Sequence, residues 1–112
     1  MCIRDRLQAA TLARIGMPDE IVMRHAAPHF GHIFSGDGYS AGYYSYLWSE
    51  VLDADGFGAF KNNPFDPEAA RLLYDNIYSA GGKHDFAQAY RNFRGRDPAI
   101  EPLLEGRGLA DT

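Results

Sequence analysis

The sequence predicts an all-α fold. Apolar residues recur at helical spacing in several segments, glycine and proline separate these segments at short intervals, and no stretch shows the period-two alternation of a half-buried strand. Four or five helices joined by short turns are therefore expected. The 112 residues, 46% of them hydrophobic, suffice to bury one modest core, as one small domain or as a piece of a larger one.

The first helix is predicted from Leu7 to Ile15, where apolar residues alternate with good helix formers until Gly16 and Pro18 interrupt the pattern. Residues 1–6 are charged and precede no long apolar segment, so they do not resemble an export signal. We expect them to be a leader foreign to the chain, which would then begin at residue 7.

The longest helix is predicted from Tyr39 to about Phe60, after a Ser-Gly-Asp-Gly loop at residues 35–38. Between residues 19 and 34 the pattern is mixed, and Pro28 argues against one unbroken helix. The apolar residues of the long helix cluster on one side at 100° per residue and are expected to face the core. They are Ala41, Tyr44, Trp48, Val51 and Leu52.

Cap residues define the remaining helices. Asp66 is a plausible N-cap, with Pro67 at the first helical position, for a helix that runs to about Ser79 and is closed by Gly81 and Gly82. Shorter helices are predicted from about Asp85 to Phe93, ending at Gly95, and from about Pro98 to Leu104, before a loose tail at Gly106 and Gly108.

Composition excludes some classes of partner. Lys and Arg total 11 against 15 for Asp and Glu, and the net charge of -4 lacks the basic character of a nucleic-acid binder. No apolar run approaches the roughly 18 residues of a membrane span. Cys2, the single cysteine, cannot form an internal disulfide, which favours a reducing, cytoplasmic setting.

Three tyrosines and a glutamate, namely Tyr39, Tyr43, Tyr46 and Glu50, would share one face of the long helix, at spacings of four, three and four. Phenols can donate hydrogen bonds to a developing oxyanion and can grip a peptide backbone. The glycine-rich loop could let the first tyrosine swing inward. Composition and spacing alone favour the other interpretation, in which these are half-buried tyrosines with solvated hydroxyls.

Other polar groups give weaker signals. His25, His29 and His32 have metal-like spacing, but Pro28 interrupts the helix and no H-E-x-x-H motif follows, which favours surface or pocket histidines over an independent zinc site. A structural role, as solvated charges or helix-end ion pairs, is expected for Arg91, Arg94, Arg96 and Asp97. No G-x-S-x-G elbow supports a serine nucleophile.

Two motifs carry a family resemblance. Phe-Gly-His-Ile-Phe at residues 30–34 and Gly-Tyr-Ser-Ala-Gly-Tyr-Tyr-Ser-Tyr-Leu-Trp-Ser-Glu-Val at residues 38–51 closely resemble the C-terminal region of the thimet oligopeptidase, oligopeptidase A and peptidyl-dipeptidase family. With the closing motifs at 93–98 and 106–109, the resemblance covers residues 20–109. It implies that residues 7–112 are the helical C-terminal part of a zincin-type peptidase catalytic domain.

The resemblance also assigns roles. In that family zinc is held by the histidines of H-E-x-x-H and a downstream glutamate, all upstream of this region, so zinc would belong to the full-length enzyme and no residue here would be a metal ligand. It implies catalytic roles for His32, Tyr39 and Tyr46. The same three residues, together with Gly38 and Tyr43, would bind substrate.

The implied activity is zinc-assisted hydrolysis of peptide bonds in short peptides. The spacing from His32 to Tyr39 is longer than in thimet oligopeptidase and looks closer to peptidyl-dipeptidases. The expected partners are short peptides and the missing N-terminal part of the enzyme, without which the chain is predicted to be inactive. A non-catalytic helical interaction module is the alternative, and a small zinc protein built on the three histidines is a third hypothesis, which tight stoichiometric zinc would support.

Overall fold

A computed structural model describes residues 3–110. Within that range it contains six α-helices with short 3₁₀ and π segments and no strand, which confirms the predicted all-α class. The chain divides into two compact units, Met1–Tyr43 and Tyr44–Thr112, and each is described by itself. Cys2 and the start of the expected leader lie outside the described residues.

The first unit begins with α1, Ile3–Arg14. Gly16, at φ 72°, turns the chain out of this helix. A 3₁₀ turn at Ala27–His29 and the single-turn helix α2, Gly31–Phe34, follow. The side-chain Oε1 of Gln8 accepts the backbone N–H of Ala27 at 3.3 Å and so ties α1 to that turn.

The first helix starts earlier than predicted. It includes residues 3–6 of the expected leader, because no helix breaker stands there and Asp5 places an acidic side chain in the first turn, where the helix dipole favours it. Helix formation does not test whether those residues are foreign to the chain, and that expectation stays a prediction.

The second unit contains the helices α3 to α6. Helix α3 spans Tyr44–Phe57 and is followed by a 3₁₀ turn at Gly58–Phe60. Helix α4 spans Pro67–Leu73 and continues as a π-helical turn at Tyr74–Tyr78. Helix α5 spans Phe86–Arg94, and α6 spans Glu101–Gly106.

The predicted N-cap at Asp66 is confirmed, and Asp85, predicted only as the approximate start of a helix, also acts as an N-cap. The Asp66 carboxylate accepts the backbone N–H groups of Glu68 and Ala69 at 2.9 and 3.2 Å, and Asp85 accepts that of Gln88 at 2.9 Å. These bonds satisfy helix N–H groups that have no partner within the helix. The last helix begins at Glu101, three residues later than predicted, with a proline in its first turn.

The predicted start of the long helix is wrong. Helix α3 begins at Tyr44, and residues 39–43 form turns. The Ser40 hydroxyl donates to the Asp37 carbonyl at 3.1 Å, and the Gly42 N–H donates to the Tyr39 carbonyl at 3.3 Å. These local bonds and the flanking glycines compete with helix formation.

The predicted core face of this helix is correct only in part. Val51 is buried and Leu52 is half-buried, but Tyr44 is 74% exposed, Trp48 is 49% exposed, and Ala41 is exposed and precedes the helix. Trp48 lines an open groove rather than the core. Buried apolar residues of the second unit are Val51, Ala80, Ala89, Tyr90 and Phe93. Between residues 3 and 110, no helix is long and apolar enough to cross a membrane.

Candidate functional site

Three of the predicted site residues form an aromatic cluster in the first unit. His32, on α2, stacks on Tyr39 with ring centroids 4.4 Å apart and an interplanar angle of 29°. Tyr43 meets His32 edge-on at 6.1 Å and lies 6.0 Å from Tyr39. The turns at residues 35–43 fold back toward α2 and so bring an imidazole and two phenols together.

Phe30 and His25 extend this cluster, and sequence reasoning assigned neither of them to it. Phe30 packs edge-on against Tyr43 at 5.1 Å, and His25 stacks on Phe30 at 4.8 Å. Such aromatic pairs stabilise by about 0.5–1.5 kcal/mol beyond their area burial. The clue in the sequence was Phe30, an aromatic residue two positions before His32 in a segment without a strong helical pattern.

The three spaced histidines do not form a metal centre. His25 and His32 stack on different aromatic rings, Phe30 and Tyr39. In the part of the chain that the structure describes, no group of three or more His, Cys, Asp or Glu side chains could hold a metal ion.

The rings of the cluster remain accessible. Tyr39 is 43% exposed, and His32 and Tyr43 are also classed as exposed. A ligand that lies along the cluster can therefore contact these rings.

Gly42 is the more closely packed of two glycines in this segment, Gly38 and Gly42. A Cβ at Gly42 would lie 3.1 Å from the Gly38 carbonyl oxygen, whereas a Cβ at Gly38 meets no atom of the described chain within 4 Å. Gly42 thus permits the close backbone approach that turns Tyr43 toward His32. The substrate-binding role predicted for Gly38 stays a prediction.

Tyr46 lies in the second unit, on the first turn of α3, and is 59% exposed. Glu50 follows one helical turn later on the same face and forms an ion pair with Arg107, just past the end of α6. The predicted four-residue phenolic face is wrong, since Tyr39 and Tyr43 precede the helix. The structure instead places the site residues in two groups: His32, Gly38, Tyr39 and Tyr43 in the first unit, and Tyr46 with Glu50 in the second.

A buried carboxylate stands in the second unit, and sequence reasoning missed it. Asp55, on α3, is the one polar side chain classed as buried among residues 3–110, with 0% exposure. Its Oδ2 accepts the Tyr90 hydroxyl at 2.6 Å and lies 3.5 Å from Arg94 Nε, and its Oδ1 accepts Arg96 Nη2 at 2.5 Å. Helix α3 is thereby joined to α5 and to the segment that follows α5.

This environment shifts the pKa values of Asp55 and Tyr90. Burial raises the pKa of Asp55, but the hydrogen bonds from Tyr90 and Arg96 and the positive charges of Arg96 and Arg94 outweigh it, so the net pKa lies below the usual value. Burial, then the hydrogen bond to Asp55 and its negative charge, raise the pKa of Tyr90 well above its usual value. Asp55 is therefore ionised and Tyr90 protonated across the neutral range.

The arginines of the predicted cluster form structural ion pairs, and two of them pair with a buried carboxylate rather than lying in solvent. Arg91 pairs with Asp97 at 2.8 Å, as expected for a helix-end ion pair. Arg94 and Arg96 instead meet the buried Asp55. The sequence could not show this, because Asp55 lies about 40 residues earlier in the chain.

An apolar groove of about 900 Å³ opens on the second unit. Its lining comes mainly from α3, the 3₁₀ turn after it, the π-helical turn and α5, and includes Trp48, Phe57, Phe60, Ile77, Phe86 and Phe93. An accessible surface of this kind is typical of a region that another protein segment covers.

The sequence of this chain is similar to those of known peptidases. The profile of Peptidase family M3 matches residues 5–109. The chain is similar to Oligopeptidase A of Escherichia coli (strain K12), with 46% identity over 84 residues, or 73% of this chain and 12% of that protein. It is also similar to Oligopeptidase A of Haemophilus influenzae, with 45% identity over 74% of this chain and 12% of that protein.

A third relative matches a longer stretch. Dipeptidyl carboxypeptidase of Escherichia coli (strain K12) is 38% identical over 104 residues, which is 92% of this chain and 15% of that protein. In these alignments the chain thus spans roughly one eighth to one seventh of the length of each relative.

Proposed function

The chain belongs to peptidase family M3, and from this premise we propose that it is the substrate-binding C-terminal part of a longer enzyme that hydrolyses peptide bonds in short peptides. The observation that carries the proposal is the accessible stack of His32 on Tyr39, with Tyr43 beside it, in a segment that matches the family. Residues 7–112 form this part in the proposal, with residues 1–6 as a foreign leader.

The proposed chemistry of these side chains is hydrogen bonding to the peptide. The His32 imidazole and the Tyr39 hydroxyl donate to the substrate carbonyl and to the oxyanion that develops from it, and Tyr46 is a second phenolic donor. Tyr43 packs against His32 and shapes the pocket, and Gly38 borders it. Donors held in place before the reaction stabilise developing charge without having to reorganise.

Zinc is part of the proposed complete enzyme but not of this chain. The described residues do not fit a zinc site, because they bring no three potential ligands together. The metal would therefore be bound by the part of the enzyme outside this sequence. On this proposal the isolated chain is inactive, and its partners are peptide substrates and the preceding part of the same enzyme.

We place the enzyme in the cytoplasm and favour dipeptide release from peptide C-termini over internal cleavage. The lone cysteine of the sequence, which can form no internal disulfide, supports the first point. The 104-residue match to Dipeptidyl carboxypeptidase supports the second. Its identity of 38% is lower than the 46% to Oligopeptidase A, so the test must include substrates of both kinds.

A chimera tests the proposal directly. The segment of Escherichia coli Oligopeptidase A that aligns with this chain is replaced by the chain's own residues, and hydrolysis of short peptides is measured with free and with amidated C-termini. We expect hydrolysis that requires residues of this chain. Release of C-terminal dipeptides from the free peptides alone would support the peptidyl-dipeptidase specificity, and cleavage of both kinds would contradict it.

Tyr46→Phe in this chimera is the sharpest single variant. Loss of one oxyanion donor lowers kcat by about 100- to 1,000-fold. The matched control is Tyr44→Phe, which removes a phenol from the same helix at a position that is 74% exposed and has no proposed role. An unchanged kcat for Tyr46→Phe would remove this residue from the catalytic set.

The second candidate function is a non-catalytic helical interaction module, which the exposed apolar groove favours. A folded chimera without peptidase activity would support it. Sequencing the source DNA upstream of residue 7 separates the two candidates independently. An upstream H-E-x-x-H in the same frame supports the peptidase, and a genuine start codon just before residue 7 supports the module.

A further inference from the structure

We propose that Asp55 is a positioning residue for the peptidase reaction, which holds α3, and with it Tyr46, against α5 and the segment after Gly95. The inference rests on the proposed function, since it requires that Tyr46 contact the substrate. Asp55 itself is buried and 0% exposed, so it acts through the helix rather than on the peptide.

Both oxygens of the Asp55 carboxylate bind side chains that lie outside α3. Its two carboxylate oxygens engage Tyr90 at 2.6 Å, Arg96 at 2.5 Å and Arg94 at 3.5 Å. A buried charge is tolerated only when it is paired and hydrogen-bonded, so these partners are obligatory while the carboxylate remains in place. Sliding or rotation of α3 against α5 would therefore leave the Asp55 carboxylate buried without its partners.

Two glycines flank this contact. Gly95 ends α5 in the left-handed region at φ 75°, which turns the chain so that the arginines on both sides of it, Arg94 and Arg96, reach the same carboxylate. Gly58, just after α3, lies close to Arg94, since a Cβ there would be 3.1 Å from Arg94 Nη2. The left-handed turn at Gly95 is thus the backbone feature on which the contact depends.

Helix α3 transmits this constraint to Tyr46. Tyr46 precedes Asp55 by nine residues on one unbroken helix, or about 13 Å at 1.5 Å per residue. The other charged contact of the helix, Glu50 with Arg107, is about half exposed on both sides and so holds it more weakly. A displacement of about 1 Å at a reacting group can cost about 100-fold in rate, so a small tilt of α3 matters to a phenolic donor.

The test is a double-mutant cycle in the chimera with Escherichia coli Oligopeptidase A. Asp55→Asn is expected to lower kcat by about 10- to 100-fold. The KM should change by less than about twofold, because the loss falls on the transition state rather than on substrate binding. In the Tyr46→Phe background the same substitution should have little further effect, because the donor that it positions is already gone. The matched control, Asp53→Asn, removes an exposed carboxylate two residues away and should leave kcat unchanged.

Each outcome supports or overturns the inference. If the losses of Asp55→Asn and Tyr46→Phe multiply, Asp55 only stabilises the fold and the positioning role is wrong, while the role of Tyr46 survives. If Tyr46→Phe alone leaves kcat unchanged, the proposed role of Tyr46 fails and the positioning role fails with it. Should Asp55→Asn not fold, Tyr90→Phe takes its place in the cycle, since it deletes one hydrogen bond to Asp55 and keeps the ring. The same two results decide the question there.

Discussion

Asp55 and Tyr90 form an acid–base pair with opposed pKa shifts, and the pH dependence of stability follows from them. Asp55 has a lowered pKa and Tyr90 a raised one, so the hydrogen bond between them is strongest when Asp55 is ionised and Tyr90 is protonated. Stability from the pair is thus present between the unfolded-state pKa values of about 4 and about 10.

Asp55 accounts for the expected loss of stability at low pH. A carboxyl group with a lowered folded-state pKa contributes stability that is present above its unfolded pKa of about 4 and is lost as the pH falls through the folded value. We expect the urea midpoint of the chain to decline below about pH 5 and to decline less steeply in Asp55→Asn. Asp53→Asn is the control, and equal slopes in both variants would contradict the assignment.

Tyr90 accounts for the expected loss of stability at high pH. A phenol with a raised folded-state pKa contributes stability that is fully present below its unfolded pKa of about 10 and is lost as the pH rises through the folded value. Tyr90→Phe should have a lower urea midpoint than the unmodified chain at pH 8, and the difference should shrink above about pH 10. Tyr78→Phe, an exposed phenol, should show no such convergence.

At the scale of elements, the end of α5 determines how the second unit is joined. Gly95 adopts φ 75° as the C-terminal cap, and its N–H donates to the Arg91 carbonyl at 2.7 Å. A residue with a Cβ is strained in this conformation by roughly 1–2 kcal/mol. The same turn presents Arg94 and Arg96 to Asp55, so strain here also weakens the buried ion pairs.

Gly95→Ala should therefore destabilise the chain by at least about 1 kcal/mol, measured as the free energy of unfolding in urea. The control is Gly82→Ala, in a turn where the backbone has no positive φ and a Cβ meets no described atom within 4 Å. Equal effects of the two substitutions would show that the left-handed turn is not needed.

The elements that could be predicted from the sequence are those with local causes. Asp66 as a cap and Gly95 as the end of α5 were predicted correctly because a cap acts on backbone groups within four residues of it. The start of α3 was placed too early because the turn bonds around Gly42 outweigh a helical pattern of side chains.

The candidate site shows the same limit. The resemblance and the spacing named His32, Tyr39 and Tyr43, and the structure brings these rings together. Asp55 could not be found, because Tyr90 and Arg96 lie 35 and 41 residues away and only the fold brings them to it. Phe30 was missed for a related reason, since its contact with Tyr43 depends on how the turns close.

At the scale of the whole molecule, the described residues expose several large apolar side chains along one groove. Trp48, Phe57, Phe86 and Tyr78 are all classed as exposed, and all line the groove. On the proposed function, the preceding part of the longer enzyme would cover this surface. Without that cover, burying the surface against another molecule lowers the free energy.

The isolated chain is therefore expected to self-associate through the groove. Sedimentation velocity over a range of concentrations should show a rising mean sedimentation coefficient, and Phe86→Glu should reduce the rise, because it places a charge in the apolar lining. The matched control is Phe65→Glu, at a position that is 91% exposed and does not line the groove. If both variants reduce association equally, added negative charge explains the effect. If the unmodified chain stays monomeric and unfolds cooperatively, the groove needs no cover, and the proposal that this chain is part of a longer enzyme is contradicted.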